Sequence, residues 1–215
     1  TMIVLSIVFG TLFGNDEPHF PVYILCGRLM YSFFSSGTNG AMKAIRTNAG
    51  MIKKVYVPKY IYPLSSVLFN YIIFLISLIV LVAVGIVLKV YPTIYMLQAV
   101  VPLVLILFTA FGVGMILSTL AVFFRDLEYL WSVGLMIIMY ASAIFYYPER
   151  ILNSGFGWIL KCNPLYLLIH NFRQAVFGRP MNMKFLAASI VFAIVSVIVG
   201  LYFFYKKQDE FILHI

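Results

Sequence analysis

Long stretches of this chain carry no charge at all, and that property decides which solvent it folds in. Tyr60 to Leu88, Val90 to Phe124, Tyr129 to Pro148 and Phe185 to Tyr205 contain no Asp, Glu, Lys or Arg. A hydrocarbon core of about 30 Å is crossed by about 20 helical residues, so each interval can span a bilayer. Composition agrees, with 63% of the 215 residues hydrophobic, 10% charged and a mean hydropathy of +1.02. A soluble domain is roughly half apolar and a quarter charged. A closed barrel also satisfies the backbone in lipid, but barrel strands alternate in polarity and these runs are continuously apolar. The chain reads as an all-α, multi-pass integral membrane protein.

Six segments emerge: Thr1 to Phe13, Pro21 to Ala41, Pro63 to Leu88, Thr93 to Phe124, Leu127 to Tyr147 and Phe185 to Tyr205. The first is too short to span and has neither the basic start nor the small-residue cleavage site of a signal peptide. It reads as the end of a truncated first span. With no linker or repeat in view, residues 1–215 are expected to form a single, N-terminally truncated membrane domain. The fourth segment would be roughly 48 Å long as a helix, so it must tilt, kink near Pro102 or project from the bilayer. Cys26 in an apolar run and Cys162 in a long loop do not suggest a disulfide framework.

Orientation follows from the basic residues. In a membrane protein a net charge of +8 reports topology and anionic lipid before nucleic acid, which is not an expected partner. Lys43, Arg46, Lys53, Lys54 and Lys59 share one short acid-free loop, which the positive-inside rule places in the cytoplasm. Parity then puts Asn15 to Phe20 outside, and the Phe124 to Glu128 turn and the C-terminus inside. Pro148 to Lys184 falls outside too, although Arg150, Lys161, Arg173, Arg179 and Lys184 there face only Glu149.

That outer segment carries helix signals. Asn163 suits an N-cap, Pro164 the first helical position, and Gly178-Arg179-Pro180 a stop. The enclosed helix, roughly 20 Å long, is too short to cross. Its spacing puts His170, Arg173 and Gln174 on a polar face and Leu165, Leu168, Ile169 and Phe172 on another. A short re-entrant or interfacial helical region between the fifth and sixth spans is expected.

No G-x-x-x-x-G-K-[ST] phosphate loop or G-x-S-x-G nucleophile elbow occurs, and His19, His170 and His214 are too scattered for a metal site. No catalytic residue is assigned. An integral membrane glycosyltransferase or acyltransferase would need convergent acids or a histidine-based site, and the seven acidic residues include no suitable pair. An ion-coupled carrier would place a carboxylate or broken helix at mid-membrane. The apolar spans hold no carboxylate.

Two groups of residues stand out within the spans. Arg28 lies in the second span, where a charge is costly; it either snorkels outward or faces protein or water. Tyr31, Ser35, Thr38 and Asn39 make the same segment polar, which suits a cavity or a packed interface. Tyr129, Tyr140 and Tyr147, spaced by eleven and seven residues, fall on one helical face with Met136. Such a stripe is interface packing, an aromatic belt or the wall of a path for sugar rings, with Tyr140 near mid-membrane.

Three motifs carry a family resemblance: "NAGMIKKVYVPKYIYPLSSV" after the second apolar run, "FFRDLEYLW" before the fifth and "NPLYLLIHNFRQAVFGRP" before the last. In order and spacing they resemble the permease subunit of ABC-2 type exporters, and most nearly the branch that exports polysaccharide, O-antigen and teichoic acid. The resemblance implies six transmembrane helices and a cytoplasmic amphipathic N-terminal helix that this chain lacks. It also implies a homodimer in the bacterial inner membrane, paired with separate ATP-binding-cassette subunits that bind ATP and Mg, and a lipid-linked polymer as cargo. On that reading Asn48 to Tyr56 is the element that docks on the ATPase, through Asn48, Met51, Ile52, Lys53, Lys54 and Tyr56. Arg125 and Asp126 would contribute a coupling contact. The plainer readings are a basic loop resting on anionic lipid, with Asp126 capping the fifth helix and Arg125 snorkelling. Arg28, Tyr31, Ser35, Tyr129, Met136, Tyr140 and Tyr147 would line the translocation path. The runner-up cargo is a drug or other small amphiphile.

Overall fold

The computed structural model describes residues 19–55, 57–89, 93–148 and 157–211. The expected first span, Thr1 to Phe13, lies outside them. The described helices are α1 (Phe20–Thr47), α2 (Ala49–Ile52), α3 (Ile61–Val87), α4 (Val100–Phe123), α5 (Leu127–Tyr140), α6 (Gly157–Cys162), α7 (Pro164–Val176) and α8 (Met183–Lys207). Among the described residues α3, α4 with its preceding turn, and α8 are long and apolar enough to cross a membrane. The 28-residue α1 is as long but more polar. The all-α architecture expected from the sequence is present.

The ends of the helices sort as parity requires. Lys59 Nζ donates to the Gln208 carbonyl at 2.6 Å and Arg46 Nη1 to Glu128 Oε1 at 2.7 Å, gathering the basic loop, the α4–α5 turn and the C-terminal tail at one end. At the opposite end α7 packs against the start of α1, the turn before α4 and the start of α8.

The long fourth segment resolves its excess length by changing helix type. Ile94–Ala99 is a 3₁₀ helix and the α-helix begins at Val100. Pro102 therefore sits in the first turn, where backbone N–H groups have no intrahelical partner, so its missing donor costs nothing. From there α4 runs through the centre, packed on α1, α3 and α8. Ile106, Ala110 and Met115 are fully buried along it. Small residues permit the closest crossing: a Cβ on Gly112 would lie 2.6 Å from Val197 N, and one on Gly200 would lie 3.1 Å from Met115 Cβ. With lipid as apolar as any side chain, such backbone approach supplies the packing that holds helices together.

The fifth span is shorter than the sequence suggested. Leu127 to Tyr147 was expected to be helical throughout, yet α5 stops at Tyr140 after 14 residues, about 21 Å at 1.5 Å per residue. Ala141 to Tyr147 turns back instead, with Ala143 at φ 48°. Carbonyls released from a helix at this depth must find donors, because lipid offers none. Asn163 Nδ2 takes the Ala141 carbonyl at 3.1 Å, and Arg173 takes those of Ala143 at 2.9 Å and Ile144 at 3.1 Å. The outer helix α7 thus closes the break in α5.

The stop and start signals of α7 are realised. Asn163 Oδ1 accepts from Leu165 N at 3.0 Å, with Pro164 opening the helix. At the far end Gly178 adopts φ +69°, while Arg179 N donates to the Gln174 carbonyl at 2.8 Å and Gly178 N to that of Ala175 at 3.3 Å. This pair of bonds is the Schellman arrangement, which a left-handed glycine makes possible.

Candidate functional site

The basic end of the helices is built where α1 runs out. Asn48 donates to the Ala44 carbonyl from both its side chain (Nδ2, 2.8 Å) and its backbone N–H (3.2 Å), closing the last turn of the helix. The chain turns, forms the single turn α2 and presents its tip. Ile52 is 9% exposed and joins Ile45, Tyr62, Met115, Phe204 and Phe211 in one apolar cluster. Met51 (55%) and Val55 (53%) are exposed, as are Lys53 and Lys54. The loop is therefore a basic and apolar tip on a fixed base to which Ile52 belongs. Tyr56 lies outside the described residues.

Sequence reasoning passed over Glu128, which the fold places at the centre of this end. Its two oxygens receive Arg46 at 2.7 Å and Lys43 Nζ at 3.3 Å. Those two cations come from the last turns of α1, and Glu128 from the first turn of α5. Acidic residues favour a helix N-terminus and basic ones a C-terminus. That complementarity was the available signal, but nothing local says the two helix ends meet. Arg125 and Asp126 are both exposed in the α4–α5 turn, and Asp126 occupies the N-cap position of α5 without a side-chain capping bond. The simple capping role is not realised.

The candidate path residues divide. Tyr129 (77%), Met136 and Tyr140 (60%) share the exposed face of α5, as their spacing indicated. Tyr147 does not join them, because the helix ends seven residues earlier; its ring packs 4.7 Å from that of Tyr23. Tyr31 is half-buried and donates to the Leu135 carbonyl at 3.0 Å, a contact that holds α5 against α1. Thr38 is buried and receives the Trp131 indole N–H at 3.2 Å, so this part of the polar segment is packed interface. Ser35 is half-buried, and Arg28 is exposed with Ser32 and Ser36 one and two turns further along the same face.

The polar face assigned to α7 needs a larger correction. His170 and Gln174 are half-buried neighbours, with Gln174 Nε2 3.4 Å from His170 Nε2. Arg173 stays beside them but turns inward. Only 5% exposed, it also donates from Nε to the Tyr23 carbonyl at 3.1 Å, and its Cζ lies 3.5 Å from the centroid of the Tyr23 ring. Helical spacing shows which residues share a face but not what that face meets. Burial, and next the Arg173 charge, push His170 below the usual imidazole range.

Comparison with known proteins agrees with these features. Residues 1–177 match the ABC-2 type transporter family. An O-antigen export system permease protein, RfbA, of Klebsiella pneumoniae is 32% identical over 97% of this chain and 81% of its own length. RfbA of Myxococcus xanthus is 28% identical over 98% of this chain and 82% of its own. The polysialic acid transport protein KpsM of Escherichia coli is 24% identical over 97% and 82%. Apolar spans, the basic first loop and the broken fifth helix all lie within the matched length, and the chain belongs to the ABC-2 type transporter family as a multi-pass integral membrane protein.

Proposed function

We propose that this chain is the permease subunit of an ATP-driven exporter that moves a polysaccharide, carried on a lipid, across the bacterial inner membrane. The observation that carries the reading is the near full-length similarity to O-antigen and polysialic acid export proteins. A second copy of the chain and two ATP-binding-cassette subunits would complete the machine, with ATP and Mg held by those subunits. Such subunits would dock on the exposed tip of Met51, Lys53, Lys54 and Val55, closing on ATP and pushing against the base formed by Ile52. The path would run along the exposed face of α5 carrying Tyr129, Met136 and Tyr140. Removing the gene should clear the polymer from the cell surface while it accumulates inside, and restoring the gene should reverse both. The double variant Lys53→Glu/Lys54→Glu should insert normally but lose the co-purifying ATPase. Unchanged surface polymer in the deletion, with altered drug sensitivity, would favour the small-amphiphile exporter instead.

A further inference from the structure

At the outer end a cleft of about 190 Å³ opens between the start of α1, the chain after α5 and the end of α7. Its chemistry is unlike the rest of the surface. One wall is the aromatic pair Tyr23 and Tyr147, tilted by 40°. Opposite stand His170 and Gln174, and His19 Nδ1 is buried with no hydrogen-bond partner among the described residues. Arg179 completes the rim, its backbone pinned by the Gly178 turn. Arg173 lies beneath: its three carbonyl bonds use three of its five N–H donors and leave its positive charge in place. No carboxylate is present among the described residues of the lining.

Resting on the exporter reading, we propose that this cleft binds an acidic sugar unit of the emerging chain. The half-buried Tyr147 ring, backed by Tyr23, can accept the apolar face of a pyranose, and the half-buried amide and imidazoles meet its hydroxyls. Exposed Arg179 offers a fork at the rim and the buried Arg173 charge adds to the positive potential beneath, which favours an anion on that unit, a carboxylate or a phosphate ester, since Arg binds both with the same fork. A free inorganic anion would leave the tyrosine wall unused, and a neutral sugar would leave the charges unanswered. The volume holds a single unit, because sites for larger ligands run to about 300–1,000 Å³. The same assignment gives a role to Arg179, one of the basic residues of that segment that the positive-inside rule does not explain.

The test uses the permease–ATPase complex in phosphatidylcholine nanodiscs, with saturation-transfer NMR reading methyl glucuronide, glucose 1-phosphate, methyl glucoside and inorganic phosphate. The glucuronide or the sugar phosphate should bind, and the one that does identifies the anion. The neutral glucoside should bind about tenfold more weakly or worse, as expected for loss of a charged hydrogen bond. Arg179→Gln and Gln174→Leu should each weaken the acidic sugar while the complex elutes unchanged in size. Equal binding of the neutral glucoside, full competition by inorganic phosphate, or unaltered binding in both variants would overturn the proposal. So would loss of the signal in phosphatidylglycerol nanodiscs, which would mark a lipid-headgroup site. The exporter reading is judged separately by the surface polymer of the gene deletion, which does not depend on this binding.

Discussion

Arg46 Nη1 and Glu128 Oε1 stand 2.7 Å apart across 82 residues of sequence, joining the end of α1 to the start of α5. Both side chains are about a third exposed or less, so the pair is worth only about 0–1 kcal/mol to the fold. On the proposed exporter reading its role is mechanical: the basic loop follows α1 directly, and a push on that loop would reach α5 through this clamp. Glu128→Arg should therefore leave folded protein nearly unchanged while lowering export per ATP hydrolysed several-fold. The paired reversal Arg46→Glu/Glu128→Arg should recover most of the loss, and measuring both rates in reconstituted vesicles checks it. No recovery in the double variant would remove the clamp from the coupling route.

Cysteine exposure provides a topology test without engineering. Cys26 is buried and Cys162 exposed, neither in a disulfide. An impermeant maleimide should label Cys162 on intact spheroplasts and leave Cys26 unmodified until the protein is denatured. Labelling of Cys162 only after permeabilisation would reverse the orientation.

Arg173 is a structural plug, and its removal should show. Arg173→Met strands the carbonyls of Ala143 and Ile144 in a buried site, at about 1–3 kcal/mol for each group left without a partner, and removes a third bond, to the Tyr23 carbonyl of α1. Arg173→Lys keeps the charge but loses the planar fork that reaches all three. The expected order of thermal stability in detergent is wild type, then Lys, then Met. A methionine variant as stable as wild type would mean that water or another side chain serves these carbonyls.

Tyr140 separates transport from packing. Truncating a fully buried aromatic costs about 3–5 kcal/mol, but Tyr140 is 60% exposed. Tyr140→Ala should leave the amount of folded protomer close to wild type and reduce export per folded protomer, with Tyr140→Phe mild. Normal export per folded molecule in the alanine variant would take Tyr140 out of the path.

The spans formed by α3, α4 and α8, the order of the described segments and both ends of α7 were legible in the residues, because hydropathy, caps and stop signals act within a few positions of the chain. Asn163, Pro164 and Gly178 carry their information locally, and the fold uses each as its chemistry dictates. Tertiary structure decided three other matters: that Tyr147 leaves the α5 face, that Arg173 turns inward, and that Glu128 anchors the basic end of α1. Each depends on partners that sequence distance hides, since Arg173 answers carbonyls 29, 30 and 150 residues away. Periodicity orders side chains around one helix, but only the packed arrangement of several helices sets which charge is buried and which carbonyl needs a donor.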